Sequence, residues 1–215
     1  MGVASAAHSN LRLERWKRPF DLFLATGAAL VLLPALVLTA FLIRVDSPGP
    51  VFFRQERIGR GGARFQIWKF RSMLLNCDDG LHREAAAAWF AGRPTNGRYK
   101  STDDPRITRV GRFIRRTNLD EMPQLINVIL GEMSLVGPRP GIPYELEHYL
   151  PWYFERQAVR PGITGLWQIS RRETIGADDM MALDVRYVRE CTPWLDLKIL
   201  FWTIPTLLGR ATRAR

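Results

Sequence analysis

The stretch that decides the fold is the apolar run FDLFLATGAALVLLPALVLTAFLI, from Phe20 to Ile43, in which Asp21 is the only charged residue. As a straight α-helix this run would be about 36 Å long, and the hydrocarbon core of a bilayer is about 30 Å thick. The run is long for the apolar part of a secretory signal and lacks a convincing small-residue cleavage site. The sequence therefore predicts a membrane helix near the N-terminus.

Pro34 lies near the middle of this run and disfavours a straight crossing, because proline removes a helical hydrogen bond and clashes with the preceding turn. The pieces on its two sides would be about 21 and 15 Å long, so neither crosses a bilayer alone. Basic residues flank both ends of the run, and these are Arg12, Arg15, Lys17 and Arg18 before it and Arg44, Arg54, Arg57 and Arg60 after it. The positive-inside rule puts both flanks in the cytoplasm. We predict a re-entrant helix broken near Pro34, and a kinked single span is the alternative.

The composition fits one domain, or one domain with an appendage, attached to this helix. The chain has 215 residues, of which 47% are hydrophobic, and its net charge is +10. Such a surplus indicates a polyanionic partner, which is nucleic acid, an anionic membrane or a phosphorylated substrate. The two cysteines, Cys77 and Cys191, are far apart and the three histidines are scattered. A zinc site or a disulfide framework is therefore disfavoured, and the chain is predicted to be reduced and cytosol-facing.

A β-hairpin is predicted directly after the membrane helix. Residues 51–55 and 64–70 are strand-like, and the second segment alternates apolar with polar residues. The glycine-rich segment 59–62 between them suits a hairpin loop. From the pattern alone, a purely structural hairpin and one beside a functional site are equally good interpretations.

The rest of the chain is predicted to be mainly helical. Residues 74–92 predict a helix with an early break at Gly80, and the polar residues 93–104 predict a loop near the site. Residues 160–168 predict a turn followed by a strand. The apolar segment 194–208 would form a helix of about 22 Å, too short for a span, so it is an interfacial helix or an ordinary core helix.

Residues 104–140 contain the strongest candidate for a functional site. They read DPRITRVGRFIRRTNLDEMPQLINVILGEMSLVGPRP. Pro123 is tolerated in the first turn of a helix, so we predict a helix start around Asn118 to Asp120. That start places Asp120 and Glu121 at the positive end of the helix dipole, where free N–H groups also bind phosphate. Arginines surround the pair in sequence, namely Arg106, Arg109, Arg112, Arg115, Arg116 and Arg139.

The adjacent acids have two interpretations. Plain helix capping is the more common reason for acids in a first turn. Two carboxylates ringed by arginines would also suit a bound metal and a diphosphate. The arginines themselves fit a solvated face or a contact with lipid headgroups as well. The residues alone therefore lead as far as a phosphate site at a membrane surface.

Six segments of the chain resemble the motifs of the monotopic bacterial phosphoglycosyl transferases, also called bacterial sugar transferases. The segments are KRPFD at 17–21, SPGPV at 47–51, IWKFRSM at 67–73, LDEMPQL at 119–125, GEMSLVGPRP at 131–140 and RPGITG at 160–165. Several long motifs in the same order make the resemblance specific. The chain departs from the family at Leu33, where serine is common, and at Ser170-Arg171-Arg172, where the family has glycine in the middle.

The resemblance implies an α+β fold that is mainly helical, with a small β-hairpin and interfacial amphipathic helices around a cytosolic catalytic core. It divides the chain into a basic juxtamembrane segment (1–18), a re-entrant membrane helix broken near Pro34 (19–44) and a cytosolic, membrane-associated catalytic domain (45–215). The implied location is the bacterial inner (cytoplasmic) membrane, with the catalytic domain facing the cytoplasm.

The resemblance also implies an enzyme that transfers a sugar 1-phosphate from a UDP-sugar to polyprenyl (undecaprenyl) phosphate. Asp120 would attack the phosphate that bears the sugar and release UMP, and polyprenyl phosphate would then attack the aspartyl-phosphosugar intermediate. Asp120 and Glu121 would hold the required Mg²⁺. The candidates for binding phosphate or nucleotide are Lys69, Arg71, Arg115, Arg139 and Arg160. This reaction would be the first membrane step of an exopolysaccharide, lipopolysaccharide or other glycan pathway.

The donor sugar and the rival functions stay open. Residues 165–168 resemble the branch that uses galactose or glucose, and an N-acetylated amino-sugar donor is the alternative. The expected partners are a UDP-sugar, polyprenyl phosphate and anionic membrane lipids, and a homodimer is compatible with them. Nucleic acid is not expected, because no helix-turn-helix or RNA-binding signature occurs. A non-catalytic basic membrane scaffold is the rival class, and it would not need Asp120 and Glu121.

Overall fold

A computed structural model describes residues 2–74, 80–92, 104–170 and 176–207, and it is mainly helical with little sheet, as predicted. The helices are α1 (Gly2–Asp46), α2 (Gly80–Phe90), α3 (Arg109–Arg116), α4 (Gln124–Leu130), α5 (Leu166–Ser170), α6 (Ala177–Glu190) and α7 (Pro193–Leu207). The strands are β1 (Phe52–Ile58), β2 (Arg64–Phe70), β3 (Ser134–Val136) and β4 (Gly162–Thr164). Short 3₁₀ turns cover Arg60–Gly62, Leu119–Glu121, Pro143–His148 and Pro151–Ala158.

The helix α1 contains the whole apolar run. Its segment Trp16–Asp46 is long and apolar enough to cross a membrane, which is true of one helix in the part of the chain that the structure describes. Residues 2–18 belong to the same helix, so the basic segment is not a separate element. The helix continues through Pro34. The predicted break at Pro34 and the predicted return of the chain to the same membrane face stay predictions.

One stripe of α1 packs against the rest of the chain over most of its length. Its members, buried or partly buried, recur every three or four positions and are Asp21, Leu24, Ala25, Ala28, Ala29, Leu32, Leu36, Thr39, Ala40 and Ile43. Ala25 belongs to the main core, and Ile43 packs in a second cluster with Phe70 and Ile114. The opposite face is apolar and uncovered, with Val31 80% exposed. One face of the helix therefore packs against the domain, and the other face is apolar and exposed.

Hydrogen bonds fix both ends of the apolar run to the same domain. At the first end, the Asp21 carboxylate accepts from the Leu135 N–H at 3.1 Å, and Arg18 donates to the last carbonyls of α4. At the other end, the Asp46 carboxylate accepts from the Val110 N–H at 3.0 Å. Both ends of the run are therefore bonded to the domain that contains α3, α4 and β3.

The strands β1 and β2 form the predicted antiparallel hairpin, with Phe52 opposite Phe70 and Ile58 opposite Arg64. The turn between them contains Gly61, whose φ is +64°. Glycine adopts this left-handed conformation without the steric cost that a side chain would bring. The predicted hairpin is thus confirmed, and it places Lys69 near the end of β2.

The second sheet is a parallel pair of short strands, β3 and β4. The strand predicted within residues 160–168 is confirmed for β4 but is wrong from Leu166 onward, where α5 begins. The change occurs at Gly165, whose carbonyl accepts the first helical hydrogen bond, from Ile169. A side chain at Gly165 would lie 2.3 Å from the Gly137 carbonyl, so only glycine permits this close approach.

The helix predicted within residues 74–92 is α2, and it starts at Gly80, where the break was expected. Residues 75–79, most of the loop predicted at 93–104, and Arg171 and Arg172 lie outside the described residues.

Candidate active site

Asp120 and Glu121 lie in the 3₁₀ turn Leu119–Glu121, one turn ahead of α4. A helical turn begins where the sequence predicted one, but the α-helix itself starts only at Gln124. Pro123 explains the difference, because it has no N–H to donate into a continuing helix and occupies the N-cap position of α4. The acids therefore do not sit in the first turn of the α-helix, and that part of the prediction is wrong.

Asn118 turns the chain so that Asp120 faces the interior. It has a left-handed backbone, with φ of +54°, and no other non-glycine residue in the described segments has a positive φ. Asparagine tolerates this region better than most residues. Its carbonyl accepts from the Glu121 N–H at 3.2 Å, which closes the turn. The Asp120 side chain is consequently buried, at 6% exposure.

The hairpin brings Lys69 to the turn Leu119–Glu121, which is called the acid turn below. The Lys69 ammonium donates to the Glu121 carboxylate at 3.0 Å, and both side chains are only partly exposed. The structure therefore joins two of the predicted site residues, which are 52 positions apart in sequence.

Asn127, which the sequence analysis did not single out, locks the hairpin to α4. Its amide donates to the Gln66 carbonyl at 2.8 Å and accepts from the Trp68 N–H at 3.0 Å. The side chain is completely buried. An asparagine within the apolar run of α4 was the available signal, because a buried amide needs partners. Asn127 thus fixes the strand that carries Lys69 against the helix that follows Asp120.

Arg139 lies in the loop that follows β3. Its guanidinium is 3.4 Å from the carboxylate of Glu145, which is itself buried and also accepts from the Ile142 N–H at 2.9 Å. The Arg139 carbonyl accepts a hydrogen bond from Arg156, a buried residue paired with Asp184. The loop that carries Arg139 is therefore held by buried charged groups.

Arg57 is a second residue that the sequence analysis did not assign to the site. It is only 5% exposed and donates to the Pro140 carbonyl at 3.1 Å and to the Gln55 side chain at 2.6 Å. Burial and the nearby Arg139 charge lower its pKa to about 10, while Glu145 and Glu121 act in the opposite direction. Arg57 therefore contacts the loop that carries Arg139 and stays charged at neutral pH.

The remaining predicted site residues have contacts of a different kind. Arg71 is buried and donates to the Ser47 and Pro48 carbonyls at 2.7 and 2.8 Å, so it braces the turn after α1. Arg160 donates to the Gly131 carbonyl at 2.8 Å, at the C-terminal end of α4. Arg115 is partly buried in the last turn of α3, just before the acid turn. Their predicted contacts with phosphate stay predictions.

The donor set of the site fits a magnesium ion that completes its shell with substrate. Mg²⁺ prefers oxygen ligands and in nucleotide sites is commonly held by one or two carboxylates together with phosphates and water. Asp120 and Glu121 supply two adjacent carboxylates. Within the described ranges, no group of three or more His, Cys, Asp or Glu residues is gathered in a way that could hold a metal. A cage built entirely from protein is therefore absent from that part of the chain.

Comparisons with known proteins agree with the motifs. A family model described as bacterial sugar transferase matches residues 12–210. The UDP-galactose-lipid carrier transferase of Erwinia amylovora is 44% identical over 208 residues, which cover 95% of this chain and 42% of that relative. The UDP-glucose:undecaprenyl-phosphate glucose-1-phosphate transferase of Escherichia coli (strain K12) is 41% identical over 87% of this chain and 39% of its own length.

A shorter relative is similar over nearly its whole length. The exopolysaccharide production protein ExoY of Sinorhizobium fredii is 41% identical over 194 residues, which cover 89% of this chain and 84% of that relative. The chain therefore spans about two fifths of the longer curated relatives and most of ExoY. The family model covers nearly all of the sequence, and the chain belongs to the bacterial sugar transferase family.

Proposed function

We propose that this protein is a phosphoglycosyl transferase that moves a hexose 1-phosphate from a UDP-sugar to undecaprenyl phosphate. The observation that carries the proposal is that Asp120 is buried and directly precedes Glu121, which forms an ion pair with Lys69. The chain that contains this group belongs to the bacterial sugar transferase family. Relatives at 40 and 44% identity are named as undecaprenyl-phosphate galactose and glucose phosphotransferases. Their names support a hexose donor over an N-acetylated amino sugar.

The reaction proceeds in two displacements at phosphorus. An oxygen of Asp120 bonds to the phosphorus that bears the sugar, the bridge to the second phosphate breaks, and UMP leaves with the bridging oxygen. An oxygen of undecaprenyl phosphate then attacks the same phosphorus, the bond to Asp120 breaks, and the lipid-diphosphate sugar forms. A covalent intermediate lets the soluble donor and the lipid acceptor react in turn.

The charged groups around Asp120 have separate tasks in this proposal. Lys69 holds the Glu121 carboxylate in place. Asp120 and Glu121 would hold Mg²⁺, which would offset charge on the transferring phosphoryl group. Arg139 and Arg115 bind the phosphates of the donor, for which guanidinium groups have suitable geometry.

The membrane attachment in this proposal is a re-entrant α1 with the catalytic domain on the cytoplasmic side. The support is that Asp21 and Asp46, at the two ends of the apolar run, are both bonded to one domain. The exposed apolar residues of α7 support an interfacial helix over a core helix, since Trp194 and Phe201 are both about two thirds uncovered. Such surfaces meet the headgroup region of a bilayer, and the net charge of +10 suits an anionic leaflet.

The experiment that tests the function measures UMP release in nanodiscs with Mg²⁺, undecaprenyl phosphate and a panel of UDP-sugars. Wild type is compared with Asp120→Asn and with the matched control Asp179→Asn, which changes an exposed acid of α6. We expect carrier-dependent UMP release from UDP-galactose or UDP-glucose in wild type and in the control, and none in Asp120→Asn.

Each other outcome has a definite meaning. An active Asp120→Asn variant would contradict the nucleophile. Turnover of UDP-N-acetylated sugars alone would contradict the hexose donor. Well-folded wild type that releases UMP from no donor would favour the basic membrane scaffold. The two relatives named exopolysaccharide production protein ExoY support an exopolysaccharide pathway as the destination of the product.

A further inference from the structure

Two buried arginine side chains hold the loop that carries Arg139. Arg57 donates to the carbonyl of Pro140, and Arg156 donates to the carbonyl of Arg139 itself. The backbone of two successive residues is therefore held by buried guanidinium groups. The strand that carries Arg57 is also joined to this loop, since the Ile58 N–H donates to the Gly141 carbonyl at 2.9 Å.

The carboxylates of this cluster leave Arg57 without an ion pair. Glu145 pairs with Arg139, and Asp184 pairs with Arg156. The hydrogen bonds of Arg57 go to neutral oxygens, and its Nε has no hydrogen-bond partner among the described residues. Glu145 and Glu121 partly offset the burial and the Arg139 charge, but the pKa of Arg57 is still lowered overall. A buried cation whose charge is only partly compensated is unfavourable, and an anion bound at the loop would supply further negative charge.

We infer that Arg57 is a positioning residue for donor binding: it holds the Pro140 carbonyl and adds a positive charge near Arg139, and Arg139 binds the diphosphate of the UDP-sugar. This inference rests on the proposed function and names a residue that strengthens it. Arg57 acts through Arg139 and through the local field, and direct contact with the donor is not required. A neutral residue in its place would fill the same space but would not attract the negatively charged diphosphate.

The alternative is that Arg57 only braces the fold. A brace needs the hydrogen bonds of the side chain and not its charge, so the two roles separate when charge and geometry are changed independently. Arg57→Gln removes the charge and keeps a polar side chain. Arg57→Lys keeps the charge but cannot reproduce the fork of the guanidinium. Arg54→Gln is the matched control, because Arg54 lies on the same strand but is exposed and stacks over Trp68.

The experiment measures kcat and KM for the UDP-sugar that wild type uses, the inhibition constant of UMP, and the unfolding temperature of each variant in nanodiscs. For Arg57→Gln we expect KM and the UMP inhibition constant to rise on the order of tenfold, with a smaller change in kcat. Arg57→Lys should recover most of this loss at pH 7, and Arg54→Gln should match wild type.

The pH dependence of KM separates the two roles further, because a purely structural role of the side chain would not depend on its charge. The burial and the Arg139 charge that lower the pKa of Arg57 should also lower that of a lysine there below its usual value near 10.4. The KM of Arg57→Lys should therefore rise between pH 7 and 9.5 relative to wild type, as the lysine loses its charge. If Arg57→Gln does not fold, this comparison decides alone.

Three outcomes would overturn the inference. One is an active wild type whose KM and UMP inhibition constant are unchanged in Arg57→Gln. Another is an equal loss in the glutamine and lysine variants, with matching falls in kcat and unfolding temperature. A third is a lysine variant whose KM follows wild type at every pH. None of the three outcomes contradicts the proposed function. That proposal fails separately, if wild type releases no UMP.

Discussion

The Lys69 ammonium lies 3.0 Å from the Glu121 carboxylate, and this ion pair joins the β-hairpin to the turn that holds Asp120. The pair is partly shielded from water, so it is screened less than a surface ion pair. Its position means that the β-hairpin and the turn of Asp120 and Glu121 hold each other in place.

The first prediction concerns this pair. Lys69→Met should lower kcat by at least about tenfold, because Glu121 loses the cation that orients it beside Asp120. The measurement is UMP release under saturating donor. Arg64→Gln is the control, since it removes an exposed ion pair on the same strand, which contributes little. A Lys69→Met enzyme with wild-type kcat would show that the pair is not needed for turnover.

The second prediction concerns Asn127. Asn127→Ala leaves the Trp68 N–H and the Gln66 carbonyl without their partner, and each unsatisfied buried group costs about 1–3 kcal/mol. We expect a clear fall in unfolding temperature together with a lower kcat, because the strand of Lys69 is released from α4. Thermal unfolding in detergent checks the first and UMP release the second. Unchanged stability would mean that other groups or water replace the amide.

The third prediction concerns the buried ion pair between Lys17 of α1 and Asp196 of α7, whose carboxylate also accepts from Tyr187. Lys17→Met or Asp196→Asn alone should each destabilise the protein by about 3–5 kcal/mol, since the partner charge is left buried. The double variant should lose less than the sum of the two. A double-mutant cycle on thermal unfolding measures this coupling, and strictly additive losses would contradict it.

The fourth prediction concerns the path of α1. In a cysteine-free background, single cysteines at Ser9 and Arg64 stand before and after the apolar run. Both should react with a membrane-impermeant maleimide only from the cytoplasmic side, because a re-entrant helix keeps its two flanks together. In intact spheroplasts neither should be labelled. Labelling of the Ser9 position alone in spheroplasts would establish the single-span alternative.

The fifth prediction concerns Cys191. Burial and the nearby Asp196 charge raise the pKa of its thiol from its ordinary value to about 11. A raised pKa means less thiolate at a given pH, so alkylation by iodoacetamide at pH 8 should be on the order of a hundredfold slower than for an ordinary thiol. The rate is measured in a Cys77→Ser background. Unfolding in denaturant should restore the normal rate, and a fast reaction in the folded protein would contradict the prediction.

Much of this architecture is visible in the sequence because it depends on local patterns. The apolar run, the alternation in residues 64–70 and the glycines before β2 each specify an element through its own residues. The acid turn was misplaced because Pro123 stops the α-helix from starting earlier and Asn118 adopts an unusual backbone. Neither effect follows from apolar periodicity.

The supporting residues of the site were missed for another reason. Arg57 is 83 positions from Pro140, and Asn127 is 61 positions from Gln66. Contacts at such separations form only when the chain folds, and no local sequence pattern predicts them. The same holds for Arg71, whose basic character suggested phosphate but whose hydrogen bonds reach the Ser47–Pro48 turn.

The packing of α1 has a consequence for handling the protein. Ala25 and Ile43 are part of the core clusters of the domain, so α1 cannot be removed without damage to the fold. Deleting it would expose those clusters and remove the polar bonds at both ends of its apolar run. Exchanging it for an unrelated apolar helix would also remove these contacts. The smallest unit that can be produced intact is therefore α1 together with the domain.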